Sequence, residues 1–227
     1  MSLHYIFTTF EKKHTTFFHA TDMDSIEKAF YHDGFQLGMK ATANGFSQKD
    51  LFSATAEMYN SIDSLINSLE VFAKQQGQQI DCKKGCNWCC HQPVFAMDYE
   101  LDFLKAFVEN NFTTEEQKKI KEKAVQKNNT LKELKQDALL NAKHPCPLLE
   151  DGTCKAYKAR PVACRIYLSS NVNSCMKFYQ KPEDKTNFPT LLDFPMRIGR
   201  IMNEGFKAGL KANGLLSKEF RIEEKLI

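Results

Sequence analysis

The sequence predicts a mainly α protein: a helical-bundle scaffold with an inserted, loop-rich cysteine-cluster region and at most a short hairpin. Three observations carry this expectation. Apolar residues recur at helical spacing in several long segments, no stretch alternates apolar and polar residues as a strand series would, and all eight cysteines are confined to residues 82–175. Within that span, residues 143–187 lose the helical period and become rich in proline, glycine and asparagine.

Residues 1–20 are mixed and aromatic-rich, and no element is assigned to them. A helix is expected after Thr21-Asp22, capped by Asp22 or Asp24, with Ile26, Phe30 and Leu37 on one side. Gly45 breaks the chain. Ser47 then caps a long helix with Asp50 in its first turn, where a carboxylate suits the positive end of the macrodipole. Leu51, Thr55, Met58, Ile62, Leu65, Leu69 and Phe72 follow a 4-3 spacing along it, read as the buried stripe of a bundle helix rather than a cofactor site. Gly77 ends this helix.

Past the first cysteines, Pro93 and Asp98 precede a short helix with Leu101, Leu104 and Val108 inward. Thr113 or Thr114, with Glu115-Glu116, opens the next, whose stripe is Ile120, Ala124, Leu131, Leu134 and Ala138. Its lysines (Lys118, Lys119, Lys121, Lys123, Lys127), alternating with Glu122 and Glu133, read as a solvated face rather than a nucleic-acid surface. Asp151-Gly152 is a two-residue turn signal that folds Cys146 back toward Cys154, as in half of a zinc ribbon. Helical spacing returns over Phe194–Leu210, with Pro195 tolerated in the first turn and Gly214 as the stop. The expected organisation is an N-terminal helical scaffold (1–81), a cysteine-cluster region that includes two helices (82–180), and a C-terminal helical segment (181–227) packing on the scaffold, all in one compact unit.

With 227 residues, 42% hydrophobic and 26% charged, the composition is that of an ordinary globular protein. A net charge of +3 is too mild to argue for nucleic acid, and no apolar run approaches the roughly 18 residues of a membrane span. Met1–Phe7 has no basic leader, and Glu11-Lys12-Lys13 cuts the apolar run short, so no signal peptide is expected. The expected compartment is the reducing cytoplasm, where thiols stay free to bind metal. A protein partner is left open.

Cys82-x3-Cys86-x2-Cys89-Cys90 puts four thiols in nine residues around Gly85, and Cys146, Cys154, Cys164 and Cys175 follow. Packing alone would scatter free thiols through a core. Soft, anionic thiolates suit zinc and iron–sulfur clusters, so all eight cysteines are candidate ligands. Cys89 and Cys90 are adjacent and cannot easily reach one ion, so one serves a different site or bridges two metals. Eight thiolates would close two tetrahedral sites, or one site with spare or bridging ligands, and Cys175, in an Asn-Ser context, is the weakest member. Trp88 would shield the site, while Arg160, Arg165, Lys83 and Lys84 could offset thiolate charge or donate to sulfur. His91 and His144 flank cysteines and are read as neighbours, not ligands; His4, His14, His19 and His32 have no ligand spacing.

Cys82-x3-Cys86-x2-Cys89-Cys90, then Cys146-Pro147-Leu148-Leu149, Gly152, Cys154, Tyr157, Arg160-Pro161 and Cys164-Arg165 closely resemble the YkgJ-type cysteine-cluster family, a zinc- or iron-chelating domain. The resemblance covers about 82–175. Ala156 stands where members usually carry a branched apolar residue, and Leu168 where many carry proline. What the resemblance implies is a bound metal, zinc or iron–sulfur, with a structural, redox or sensory role. Two other classes compete. One is an enzyme using S-adenosylmethionine, either a radical enzyme with an iron–sulfur cluster on the first three cysteines or a protein methylase. The other is a zinc-knuckle interaction module. The sequence contains no His-Glu-x-x-His, phosphate loop or Gly-x-Ser-x-Gly, so no conventional catalytic residue is nominated.

Overall fold

The computed structural model describes residues 20–227 apart from Asn44 and Lys185, so the aromatic segment 1–19, with His4, His14 and His19, lies outside the described residues. In chain order the helices and strands are α1 (Ala20–Lys40), α2 (Gln48–Gln75), β1 (Phe95–Met97), α3 (Asp98–Asn111), α4 (Thr114–Leu131), α5 (Gln136–Asn141), β2 (Leu149–Glu150), β3 (Thr153–Cys154), α6 (Val162–Ile166), α7 (Val172–Gln180), α8 (Asp193–Ala212), β4 (Glu219–Arg221) and α9 (Ile222–Lys225). Short 3-10 turns cover Trp88–His91 and Tyr157–Ala159. The protein is mainly α, with two two-stranded sheets among the described residues. No described helix is long and apolar enough to cross a membrane.

The described residues divide into two compact units, one of residues 20–68 and 197–216, the other of 69–196 and 217–227. In the first, α1 and α8 meet through Gly34-x3-Gly38 and Gly205-x3-Gly209. A Cβ on Gly34 would strike the Met202 carbonyl, and one on Gly209 would strike that of Phe35, so only glycine allows this approach. α1 already runs from Ala20, ahead of the expected aspartate cap. In α2 the Ser47 hydroxyl accepts the Asp50 amide at 3.4 Å, and the predicted stripe is buried from Leu51 through Ile62 and Leu65. Leu69 and Phe72 are only half-buried. Thr55, the odd member of the stripe, donates its buried hydroxyl to the Leu51 carbonyl at 2.8 Å.

The second unit begins as α2 ends. Gly77 takes φ +67°, the Gln78 amide donates to the Ala73 carbonyl and that of Gly77 to Lys74, a Schellman stop. Leu101, Leu104 and Val108 of α3 face inward as expected, and join Ile120, Ala124, Leu148 and Ile222 in one core. α4 opens on a capping box between Thr113 and Glu116. Its stripe stops at Leu131: Gln136 takes φ +48° and starts a separate short helix, leaving Leu134 half-buried and Ala138 exposed. The lysine-rich face is not uniformly solvated either. Lys118, Lys119 and Lys121 are exposed, but Lys123 is half-buried and Lys127 is 2% exposed. β1 pairs antiparallel with β4, Phe95 opposite Arg221, a pairing too long-range and too short to show in the sequence pattern. The β2–β3 hairpin turns on Asp151 and Gly152 at φ +48° and +72°, the two positive values a type I′ turn requires.

Candidate metal centre

The first cysteines lie on a tight loop. Gly85 takes φ +97°, the Cys86 amide donates to the Lys83 carbonyl at 2.9 Å, and the 3-10 turn sets the Cys90 amide 3.0 Å from the Asn87 carbonyl. Cys82 is fastened to a distant segment: its sulfur accepts the Ser169 amide at 3.1 Å, while the Asp81 carboxylate accepts the Val172 amide at 2.9 Å at the start of α7. That helix carries Cys175, which is buried on a regular helix and not in a loose Asn-Ser segment. Tyr179 of α7 lies against both Trp88 and His91, with ring centroids 5.4 and 4.8 Å apart.

The downstream cysteines reach the same loop by backbone pairing. The His144 amide donates to the His91 carbonyl and the Cys146 amide to the Cys90 carbonyl, both at 2.8 Å. The hairpin then sets Cys154 opposite Leu149. Cys164 sits on α6, whose first amide, from Val162, donates to the buried Glu100 carboxylate at 2.7 Å; the other Glu100 oxygen accepts the Met97 amide at 3.1 Å. Arg165 is buried and donates to the carbonyls of Lys158 and Arg160 at 2.5 and 2.8 Å, so it shapes the loop before α6. Arg160 stacks its guanidinium 3.7 Å from the Tyr157 ring, and its Nε is buried without a hydrogen-bond partner.

All eight cysteines are free thiols. Electrostatically they fall into two neighbourhoods. Cys90, Cys146, Cys154 and Cys164 each lie in the field of the other three. Cys82, Cys86 and Cys175 form a second such set. Cys89 lies between, within the field of Cys90, Cys164 and Cys82, and Cys86 of the second set also lies in the field of Cys90. Burial pushes Cys146 up to about 12 and Cys82 up to about 11, and raises Cys86, Cys154 and, further, Cys164. Cys90 moves the other way, to about 7, because the Cys89 thiol donates a hydrogen bond to it and Lys127 and Arg160 add positive charge. The same bond, with burial, holds Cys89 protonated well above the usual thiol range.

The donor set suits a thiolate-bound metal. Besides the Ser169 bond to Cys82, three sulfurs accept the amide two residues on: Cys86 from Trp88, Cys146 from Leu148 and Cys154 from Ala156. Amide donors of this kind favour the ionised sulfur that a metal requires. Among the described residues no three or more His, Cys, Asp or Glu side chains are yet arranged as a metal-holding group, so the fit rests on the chemistry and grouping of the thiols. Of the side chains nominated around the sulfurs, Arg160 acts on Cys90, Cys154 and Cys164, and Trp88 offers its amide to Cys86; Arg165 turns to carbonyls. His91 Nδ1 lies 3.1 Å from the Asn87 carbonyl and His144 Nδ1 3.3 Å from that of Pro145. Sequence reasoning missed Lys127 and Glu100. A glutamate between apolar positions 97, 101 and 104 was the one available sign of the latter.

No curated protein and no solved structure matches the chain. Residues 81–188, just under half of the chain, match the model of the CxxCxxCC family, described as "Putative zinc- or iron-chelating domain", and it is this cysteine-cluster family that the thiol-bearing region resembles.

Proposed function

We propose that this protein binds zinc or iron through two thiolate groups, one formed by Cys90, Cys146, Cys154 and Cys164, the other by Cys82, Cys86 and Cys175 with Cys89 as its fourth member. The observation that carries the reading is the mutual nearness of Cys90, Cys146, Cys154 and Cys164, which come from four separate elements of the chain. Four thiolates fill a tetrahedral site, and a filled site leaves no position for water or substrate. The bound metal then supplies cross-linking of these segments or, as iron, storage of an electron. Trp88 and Tyr179 cover the loop that carries Cys86, and Arg160 offsets thiolate charge. A reducing compartment such as the cytoplasm suits this chemistry.

The radical S-adenosylmethionine alternative needs Cys82, Cys86 and Cys89 together on one cluster with an open iron. Cys175, a fourth thiol in the field of both Cys82 and Cys86, would fill the position that an open iron needs and so favours the closed reading instead. Zinc and iron content of anaerobically purified full-length protein, with its visible spectrum, tests the proposal. About two metal ions per chain are expected if both groups close; a chain that acquires neither zinc nor iron refutes it, and binding of S-adenosylmethionine at the metal would favour the enzyme.

A further inference from the structure

Lys127 is a lysine in the wrong place for a surface helix. It is 2% exposed, and its ammonium group donates to two backbone carbonyls, Gln92 at 3.2 Å and His144 at 3.0 Å. Among the described residues no carboxylate pairs with it. A buried cation is costly unless an anion offsets it, and neutral carbonyls do so only in part. Nothing in the fold of α4 demands a lysine there. Ile120, Ala124 and Leu131 on the same stripe are apolar and buried, so an apolar residue would satisfy the helix.

The two carbonyls it holds belong to the segments that deliver Cys90 and Cys146. Gln92 follows Cys90 by two residues, and His144 precedes Cys146 by two. The same two segments are zipped by the bonds between His144 and His91 and between Cys146 and Cys90. Lys127 therefore sits across the seam where the two chain segments bring their sulfurs together. Its charge reaches both: it opposes the effect of burial on Cys146 and adds to that of the Cys89 hydrogen bond on Cys90. Arg160, whose buried Nε has no hydrogen-bond partner, adds positive charge at Cys90, Cys154 and Cys164.

Charge counting completes the argument, and it rests on the two-group reading above. Four thiolates around a divalent ion leave a net charge of two minus, which the two cations Lys127 and Arg160 would cancel. At the other group, the charged neighbour common to Cys82 and Cys86 is Asp81, an anion. We infer that Lys127 is the buried counter-charge of the Cys90, Cys146, Cys154 and Cys164 group, a positioning residue that makes this one group able to hold an anionic metal–thiolate centre.

The test uses the full chain and zinc, with affinity measured by competition against a chromophoric chelator, together with the pH at which each zinc is released. Lys127→Gln keeps a donor for the carbonyls but removes the charge. It should fold as wild type, bind one zinc about 10–100-fold more weakly, release that zinc at higher pH, and leave the other zinc unchanged. Lys127→Arg should restore most of the affinity. Lys127→Met should behave as the glutamine variant; if it fails to fold, the glutamine variant still decides. Wild-type affinity and release pH in Lys127→Gln would overturn the inference and leave the metal-binding proposal standing. A wild-type chain that takes up no zinc or iron would overturn both.

Discussion

The amide of Cys146 donates to the carbonyl of Cys90 across 2.8 Å, joining residues 56 positions apart. This contact brings the segment that carries Cys90 beside the one that carries Cys146. Cys89, the neighbour of Cys90, is left facing both groups. The two adjacent thiols thereby meet different surroundings, one held protonated and the other shifted toward its ionised form.

Cysteine variants should therefore remove metals one at a time. Cys175→Ser should empty the group it shares with Cys82 and Cys86, and Cys164→Ser should empty the other. Zinc or iron per chain should fall by about half in each single variant and vanish in the double. Full occupancy of the Cys175→Ser protein would place Cys175 outside the metal site.

The metal-free and metal-loaded proteins should respond to pH in opposite directions. Burial raises Cys82 to about 11 and Cys146 to about 12 from the ordinary 9.0, so the folded chain retains protons that the unfolded chain has already lost. Stability from this source is complete below pH 9 and is lost as pH rises through 11 and 12. Once metal is bound, protons compete for the thiolates, and stability should fall instead as pH drops. Urea unfolding at several pH values, with and without chelator, reads both slopes. Hydrogen exchange in 143–187 should rise on chelation, because that segment has little apolar periodicity to order it otherwise.

Glu100→Ala should destabilise the protein by at least about 2 kcal/mol, since it strands the buried amides of Val162 and Met97 together. Because Val162 opens the helix that presents Cys164, metal affinity should drop in the same variant. Denaturant midpoints and metal competition measure the two effects separately.

Gly34→Ala and Gly209→Ala should each lower stability by about 1–3 kcal/mol through forced separation of α1 and α8. Helix propensity alone would favour alanine by about 1 kcal/mol. The sign of the change in a urea titration thus distinguishes a backbone clash from an ordinary helical glycine.

Much of this architecture was legible because its signals are local. Ser47 and Gly77 bound α2, Asp151-Gly152 turns the hairpin, and Thr113 with the glutamates after it opens α4. What stayed hidden depends on partners distant in the chain. Lys127 looked like its exposed neighbours Lys118 and Lys121 because nothing at helical spacing says that carbonyls of residues 92 and 144 will lie over it. Glu100 caps a helix 62 residues away. Cys175 seemed stranded among polar residues, yet Asn171 caps its helix by accepting the Ser174 amide, and Asp81 receives Val172. The pairing of β1 with β4 follows from contacts that three residues of pattern cannot announce.

That last pairing has a consequence for biosynthesis. β1 lies just after the first thiols, but its partner Glu219–Arg221 is made after every cysteine of the chain, and the Ile222 amide then donates to the Val94 carbonyl. As the chain leaves the ribosome, all eight cysteines are made before the strand that pairs with β1 exists. Metal delivered during synthesis can therefore meet the cysteines before β1 has its partner strand, whereas metal delivered later meets them with that pairing already made.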